Sequence, residues 1–116
     1  MPQYAALTFT RDVDWTAPEQ AGEMADWNEF RDAAMASIRG GAALYPTSTA
    51  TTVRVDGGKG GDVVTTDGPY TETKEVLTGF YLLECADLDE AVGLAAKIPA
   101  AWTGGIIEVR PVIPMG

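Results

Sequence analysis

Apolar and polar positions alternate along this chain with two different periods, and the switches between them mark out its elements. Residues 3–9, from Gln3 to Phe9, are short, apolar and rich in strand formers, which predicts a first strand. Residues 10–17 are polar, with Asp12, Asp14 and Thr16, and read as a loop. Thr16 and Glu19 have capping-box spacing and Pro18 suits a first helical turn, so a helix is predicted from about Pro18 to Arg39. Its apolar stripe is Met24, Trp27, Phe30, Ala34 and Ile38, and Gly40-Gly41 is expected to end it.

Two extended stretches follow, Ala42 to Tyr45 and Ala50 to Val55, the second rich in β-branched residues. Asp56 to Gly61 has the composition of a hairpin tip, and Asp62 to Thr66 returns as a strand. Asp67-Gly68-Pro69 breaks that strand, and Thr71 to Glu75 is a polar loop. Thr78 to Cys85 is the strongest strand pattern in the chain. Asp87 and Glu90 form a second capping pattern. A helical stripe of Leu88, Val92, Ala95 and Ile98 follows, closed by Pro99. Ile106 to Val112 is a last strand, and Pro114-Met115-Gly116 a tail. The order predicts one α+β domain over residues 1–116, a ferredoxin-like pair of split β-α-β halves with an inserted hairpin.

In such a fold two helices cover one sheet face and leave the other bare, and a bare face should be polar. The strand from Thr78 departs from that rule. Tyr81 and Leu83 point one way, Phe80 and Leu82 the other, and both sets are apolar. Cover by the same face of a second copy, an isologous dimer, is therefore expected. On the last strand Ile107 and Val109 should meet the helices, while Glu108 and Arg110 would face the partner sheet. Charges there must be paired or wetted, so they either pair or line a cavity between the sheets.

Hydrophobic residues at 46% and charged residues at 22% are an ordinary globular balance, so disorder is not expected. The net charge is -9, which disfavours direct binding to nucleic acid and to anionic membranes. Cys85 is the sole cysteine, so no internal disulfide can form, as suits a reducing compartment. The start Met1-Pro2-Gln3-Tyr4 is neither basic nor apolar, and a cytoplasmic protein without a signal peptide is expected. Nor does any stretch reach the roughly 20 apolar residues a membrane helix needs.

Five stretches in order carry a family resemblance: Ala50 to Arg54, Thr66 to Glu75 with Asp67-Gly68-Pro69-Tyr70 inside it, Gly79-Phe80-Tyr81, Asp87 to Ala91, and Glu108 to Val112. Together, from about Tyr4 to Val112, the chain resembles the DGPF branch of the YCII-related proteins, with tyrosine for the usual phenylalanine at Tyr70. The resemblance implies a ferredoxin-like dimeric α-β barrel, similar to muconolactone isomerases and small monooxygenases. It also implies enzymatic activity in the wider family, through a histidine and an aspartate of the founding branch. This chain has no histidine, so that pair does not carry over. The DGPF branch further occurs in association with extracytoplasmic-function sigma factors, which implies an accessory role in transcription.

With no histidine and one cysteine, no zinc or haem site is expected, and the sequence implies no cofactor. The glycines from Gly57 to Gly61 lack the ending of a phosphate loop. Asp67 to Tyr70 has two readings. As structure, it is a turn in which the aspartate caps its own backbone and proline fixes the exit. As a site, Asp67 is a general base at a cavity mouth and Tyr70 a donor beside it. Arg54, Glu108 and Arg110 are either an ion-pair network sealing the dimer or, through the arginines, a clamp for a substrate carboxylate. Lys74 and Glu75 read as a solvated loop pair, and Cys85 as a buried, inert thiol. Met24, Trp27 and Phe30 read as core, and Trp15 and Trp102 as cavity walls or interface anchors. Two functions remain: a cofactor-independent enzyme or small-ligand binder acting between sheet and partner, or an accessory module for a sigma-factor-type protein, for which an acidic surface suits a basic partner.

Overall fold

β1 (Gln3–Thr10) buries every second residue, Tyr4, Ala6 and Thr8, and leaves Ala5, Leu7 and Phe9 half-buried on its other face. It is an inner strand of a four-stranded sheet in the computed structural model, which describes residues 1–115; Gly116, the end of the expected tail, lies outside the described residues. β2 (Ile38–Ala43), β5 (Val76–Glu84), β1 and β6 (Ile106–Pro111) lie side by side in that order, every pair antiparallel. With α1 (Met24–Ala34) and α2 (Leu88–Ala95), this is the α+β, ferredoxin-like order that the pattern predicts.

The first helix differs from the expected one at both ends. A 3-10 turn, Pro18–Glu23, precedes α1, and its cap is Ala17 without any side-chain hydrogen bond. The Thr16–Glu19 box does not form because Asp14 takes Thr16 first: the Thr16 amide and hydroxyl both donate to its carboxylate, at 2.9 and 2.6 Å. At the far end the helix stops at Ala34, and Ile38 already pairs with Leu83 in the sheet. Ile38 continues the three-and-four spacing only by coincidence; strand pairing with β5 outweighs the helical period. Gly40 and Gly41 consequently sit in β2, where the need is for close approach: a Cβ on Gly41 would lie 2.6 Å from the Phe80 carbonyl oxygen.

β3 (Thr51–Asp56) and β4 (Asp62–Asp67) form a separate two-stranded sheet with Val55 opposite Val63. Gly57, Gly58 and Gly60 hold positive φ at its tip. The Asp67-Gly68-Pro69 turn is pinned to β3: the Gly68 amide donates to the Ala50 carbonyl at 2.7 Å, and the Thr52 hydroxyl to the Gly68 carbonyl at 2.7 Å.

The second capping pattern forms as expected, with the Glu90 amide donating to the Asp87 carboxylate at 2.9 Å. Asp87→Ala is expected to cost about 1 kcal/mol of stability, read by chemical denaturation. α2 ends at Ala95 rather than running on to Ile98, because a residue before proline avoids the helical region; Ile98 is extended, at φ -71 and ψ 122.

One sheet face carries the core. Tyr4, Ala6, Leu83 and Cys85 meet Phe30 and Ala34 of α1 and Ala91 and Ala95 of α2, with Ile98 and Ala100 closing the end. Ile107 and Val109 pack on this cluster, as strand parity predicts, and Tyr81 packs there too. The opposite face carries Leu7, Phe80 and Leu82, half-buried, with exposed Glu108 and Arg110 alongside. The molecule is only 19 Å thick against 47 and 41 Å in its other dimensions, one sheet with helices on one side. Its radius of gyration, 16.4 Å, exceeds the roughly 13 Å of a compact domain of this length because the hairpin and the open sheet spread the chain.

Candidate functional site

The loop between β1 and α1 crosses the end of the sheet, and Trp15 fastens it there. The Trp15 indole N–H donates to the Thr78 carbonyl at 3.0 Å. Its ring meets Trp27 edge to face, with centroids 5.5 Å apart. Asp12 anchors the same loop to the next one: it accepts from the Thr47 amide at 3.0 Å and from the Thr47 hydroxyl. These hydrogen bonds hold the Asp12 carboxyl below its ordinary pKa, and those from Thr16 do the same for Asp14. A carboxyl with a lowered pKa contributes stability above its unfolded value, and that contribution is lost as pH falls through the folded one. The loop is therefore expected to be held fully above about pH 4 and to loosen below it. Trp15 emission should change in that acid range before the far-ultraviolet signal of the fold does.

A cavity of about 300 Å³ lies under this loop, between the start of α1 and the β2–β5 edge. It exists because four of the residues that β2 and β5 place there are small: Gly41, Ala42, Ala43 and Gly79. Aromatic rings of Trp15, Trp27 and Tyr81 supply apolar wall, and buried Thr8 and Thr78 a polar one. Gln20, Met24, Trp27 and Arg31 recur at spacings of four, three and four and bring one side of the helical segment to the opening. Arg31 is the sole cation of the lining, is exposed, and forms no ion pair among the described residues. At about 300 Å³ the cavity is at the lower end of the range of small-molecule sites.

A second depression of about 290 Å³ lies between α1 and the turn after α2, with Trp102 and Lys97 on one side and Asp26 and Glu29 on the other. The two tryptophans singled out from sequence thus wall two different depressions.

The five residues proposed from sequence fall into two groups, and none of them lines the larger cavity. Arg54 projects from β3 and pairs with Asp56 at 3.1 Å, both exposed. Asp67 ends β4, exposed, and Tyr70 beyond the turn is 88% exposed. Glu108 and Arg110 stand on β6, opposite Leu7 and Ala5, on the face without helices. Among the described residues no ion pair joins Arg54, Glu108 and Arg110. Gln20, Arg31 and Tyr81 were not singled out from the sequence as site residues; the one available signal was the spacing of Gln20, Met24, Trp27 and Arg31.

Cys85 is fully buried in the core, and burial, with the charge of Glu90 nearby, pushes its thiol pKa up. Among the described residues no three metal-ligating side chains converge, and no helix is long and apolar enough to cross a membrane.

A four-stranded antiparallel sheet, two helices on one face and a cavity under the first loop define a small ferredoxin-like α+β protein with a helix-side site. The chain belongs to the family of the YCII-related domain, whose model matches residues 4–116. It is similar to an uncharacterised protein of Rhizobium meliloti (strain 1021), with 46% identity over 71 residues. That match covers 60% of this chain and 55% of the relative, so the chain spans about half the length of the curated relative it matches.

Proposed function

We propose that this chain is a small-molecule-binding protein, of the kind that supports cofactor-independent chemistry, and that its ligand occupies the cavity beneath Trp15. The observation that carries this is the combination of about 300 Å³ of space, three aromatic walls and, at the opening, one arginine without an ion pair among the described residues. Pockets of this kind are mainly apolar, with a few polar groups that orient the ligand.

The proposal includes a homodimer packed through the helix-free face. Leu7, Phe80 and Leu82 supply apolar surface there, half-buried on the face that α1 and α2 do not cover. Glu108 and Arg110, of opposite sign and two residues apart, are self-complementary about a two-fold axis. Asp67 as base and Tyr70 as donor, with Arg54 as an anion contact, belong to the proposal only through that dimer, because none of them lines the cavity of its own chain. Their motif also supports placement in the DGPF branch.

Binding is tested by a thermal-shift screen against one-ring and two-ring aromatic compounds, charged and neutral, on the wild type and on Ala43→Phe. Ala43 is exposed and lines the cavity opposite Gly79, so a phenyl group there fills the space while leaving the core intact. Compounds should raise the Tm of the wild type and leave that of the variant unchanged. Equal shifts in both proteins would place binding elsewhere and overturn the proposal.

A further inference from the structure

Arg31 is in an unusual position for a cation in an acidic chain. With 17 acidic residues against 8 basic ones, an arginine on a helix would ordinarily find a carboxylate one turn away. The positions three and four residues from Arg31 on either side are Trp27, Asn28, Ala34 and Met35. The nearby acids Asp26, Glu29 and Asp32 fall at spacings of five, two and one, which do not face it on a helix. Among the described residues Arg31 makes no ion pair, and it lines the cavity. The guanidinium is thus charged, without a carboxylate partner among the described residues, and set beside an aromatic cavity.

Resting on the small-molecule reading above, we propose that the cavity takes an aromatic monocarboxylic acid, with its ring among Trp15, Trp27 and Tyr81 and its carboxylate on Arg31. A guanidinium offers two parallel N–H donors that match one carboxylate. One cation neutralises one negative charge, so a carboxylate fits better than a phosphate ester or a nucleotide, which bring more charge than the site can meet. The size agrees: about 300 Å³ is the volume of about ten waters, enough for a small ring system and not for a base, sugar and phosphates together. Stacking walls favour a flat ligand over a branched aliphatic one.

The test is isothermal titration of the full chain with 2-naphthoate and with its neutral isostere 2-naphthamide. Each is measured on the wild type, Arg31→Gln, Ala43→Phe and, as a control for net charge, Lys59→Gln at the hairpin tip. The acid is expected to bind the wild type about tenfold more tightly than the amide, equivalent to about 1.4 kcal/mol. The preference should persist in Lys59→Gln and shrink to within about twofold in Arg31→Gln. Equal affinities of acid and amide for the wild type, both lost in Ala43→Phe, would overturn the carboxylate assignment while leaving the cavity reading in place. A preference for the acid that survives in Arg31→Gln would overturn the assignment to Arg31. Binding of neither probe to the wild type would count against both.

Discussion

Phe30→Ala is expected to lower the stability of the fold by about 3–5 kcal/mol and its Tm by at least about 10 °C. Phe30 is 1% exposed and is the largest fully buried side chain of α1. It meets Tyr81 edge to face at 4.9 Å, so one ring joins the helix to β5. Five of the nine other buried residues of the core cluster are alanines: Ala6, Ala34, Ala91, Ala95 and Ala100. Alanines have no rotamers with which to fill the space left behind, so collapse around the cavity would be limited and the cost should lie in the upper part of the usual range. Chemical denaturation of wild type and variant measures it. A loss below about 1 kcal/mol would mean that α1 does not pack on the sheet through this ring.

Leu82→Asp is expected to turn the proposed homodimer into a folded monomer. Leu82 lies in β5 opposite Ala5 and next to Gly40, on the face that no helix covers. It is half-buried in the single chain, so an aspartate there stays wetted in the monomer and the fold should survive. In the dimer the same carboxylate would be desolvated, and its two-fold mate would repeat the cost. Burying an unpaired charge costs several kcal/mol, and each 1.4 kcal/mol is tenfold in affinity, so dissociation should strengthen at least a hundredfold. Sedimentation of both proteins across a concentration series reads it. A wild type that sediments as a monomer at high concentration, or a variant that dimerises as well as the wild type, would remove the sheet-face dimer.

Strand parity was the most legible feature of the sequence. Period two is rigid, so spacing alone puts Tyr81 with Leu83 on one face and Ile107 with Val109 toward the helices, and in the structure all four lie on the helix side. Helix ends were less legible, because two local choices compete at each. Asp14 outcompetes the Thr16–Glu19 box, and pairing of Ile38 with Leu83 cuts the helix short where the apolar stripe alone would prolong it.

The cavity was the least legible part. It is formed by volume that is absent at Gly41, Ala43 and Gly79, three residues brought together by the pairing of two strands distant in sequence, with Gly41 opposite Tyr81 and Ala43 opposite Gly79. An apolar stripe marks Trp27 as core, and its other role as a wall appears only once the space beside it is known to be empty. Arg31 reads in sequence as one more solvated charge, because nothing local says that it borders a cavity. Asp67-Gly68-Pro69 stood out for its turn chemistry, and the structure pins that turn to the hairpin through Gly68, with Tyr70 exposed beyond it.

Crystals soaked in a library of small aromatic acids and amides would locate ligand binding most directly. Density for bound rings between Trp15, Trp27 and Tyr81, with carboxylates turned toward Arg31, is the predicted result. Rings found only on the sheet face of Leu7, Phe80 and Leu82 or around the hairpin, with the space beneath Trp15 holding none, would contradict a helix-side ligand site.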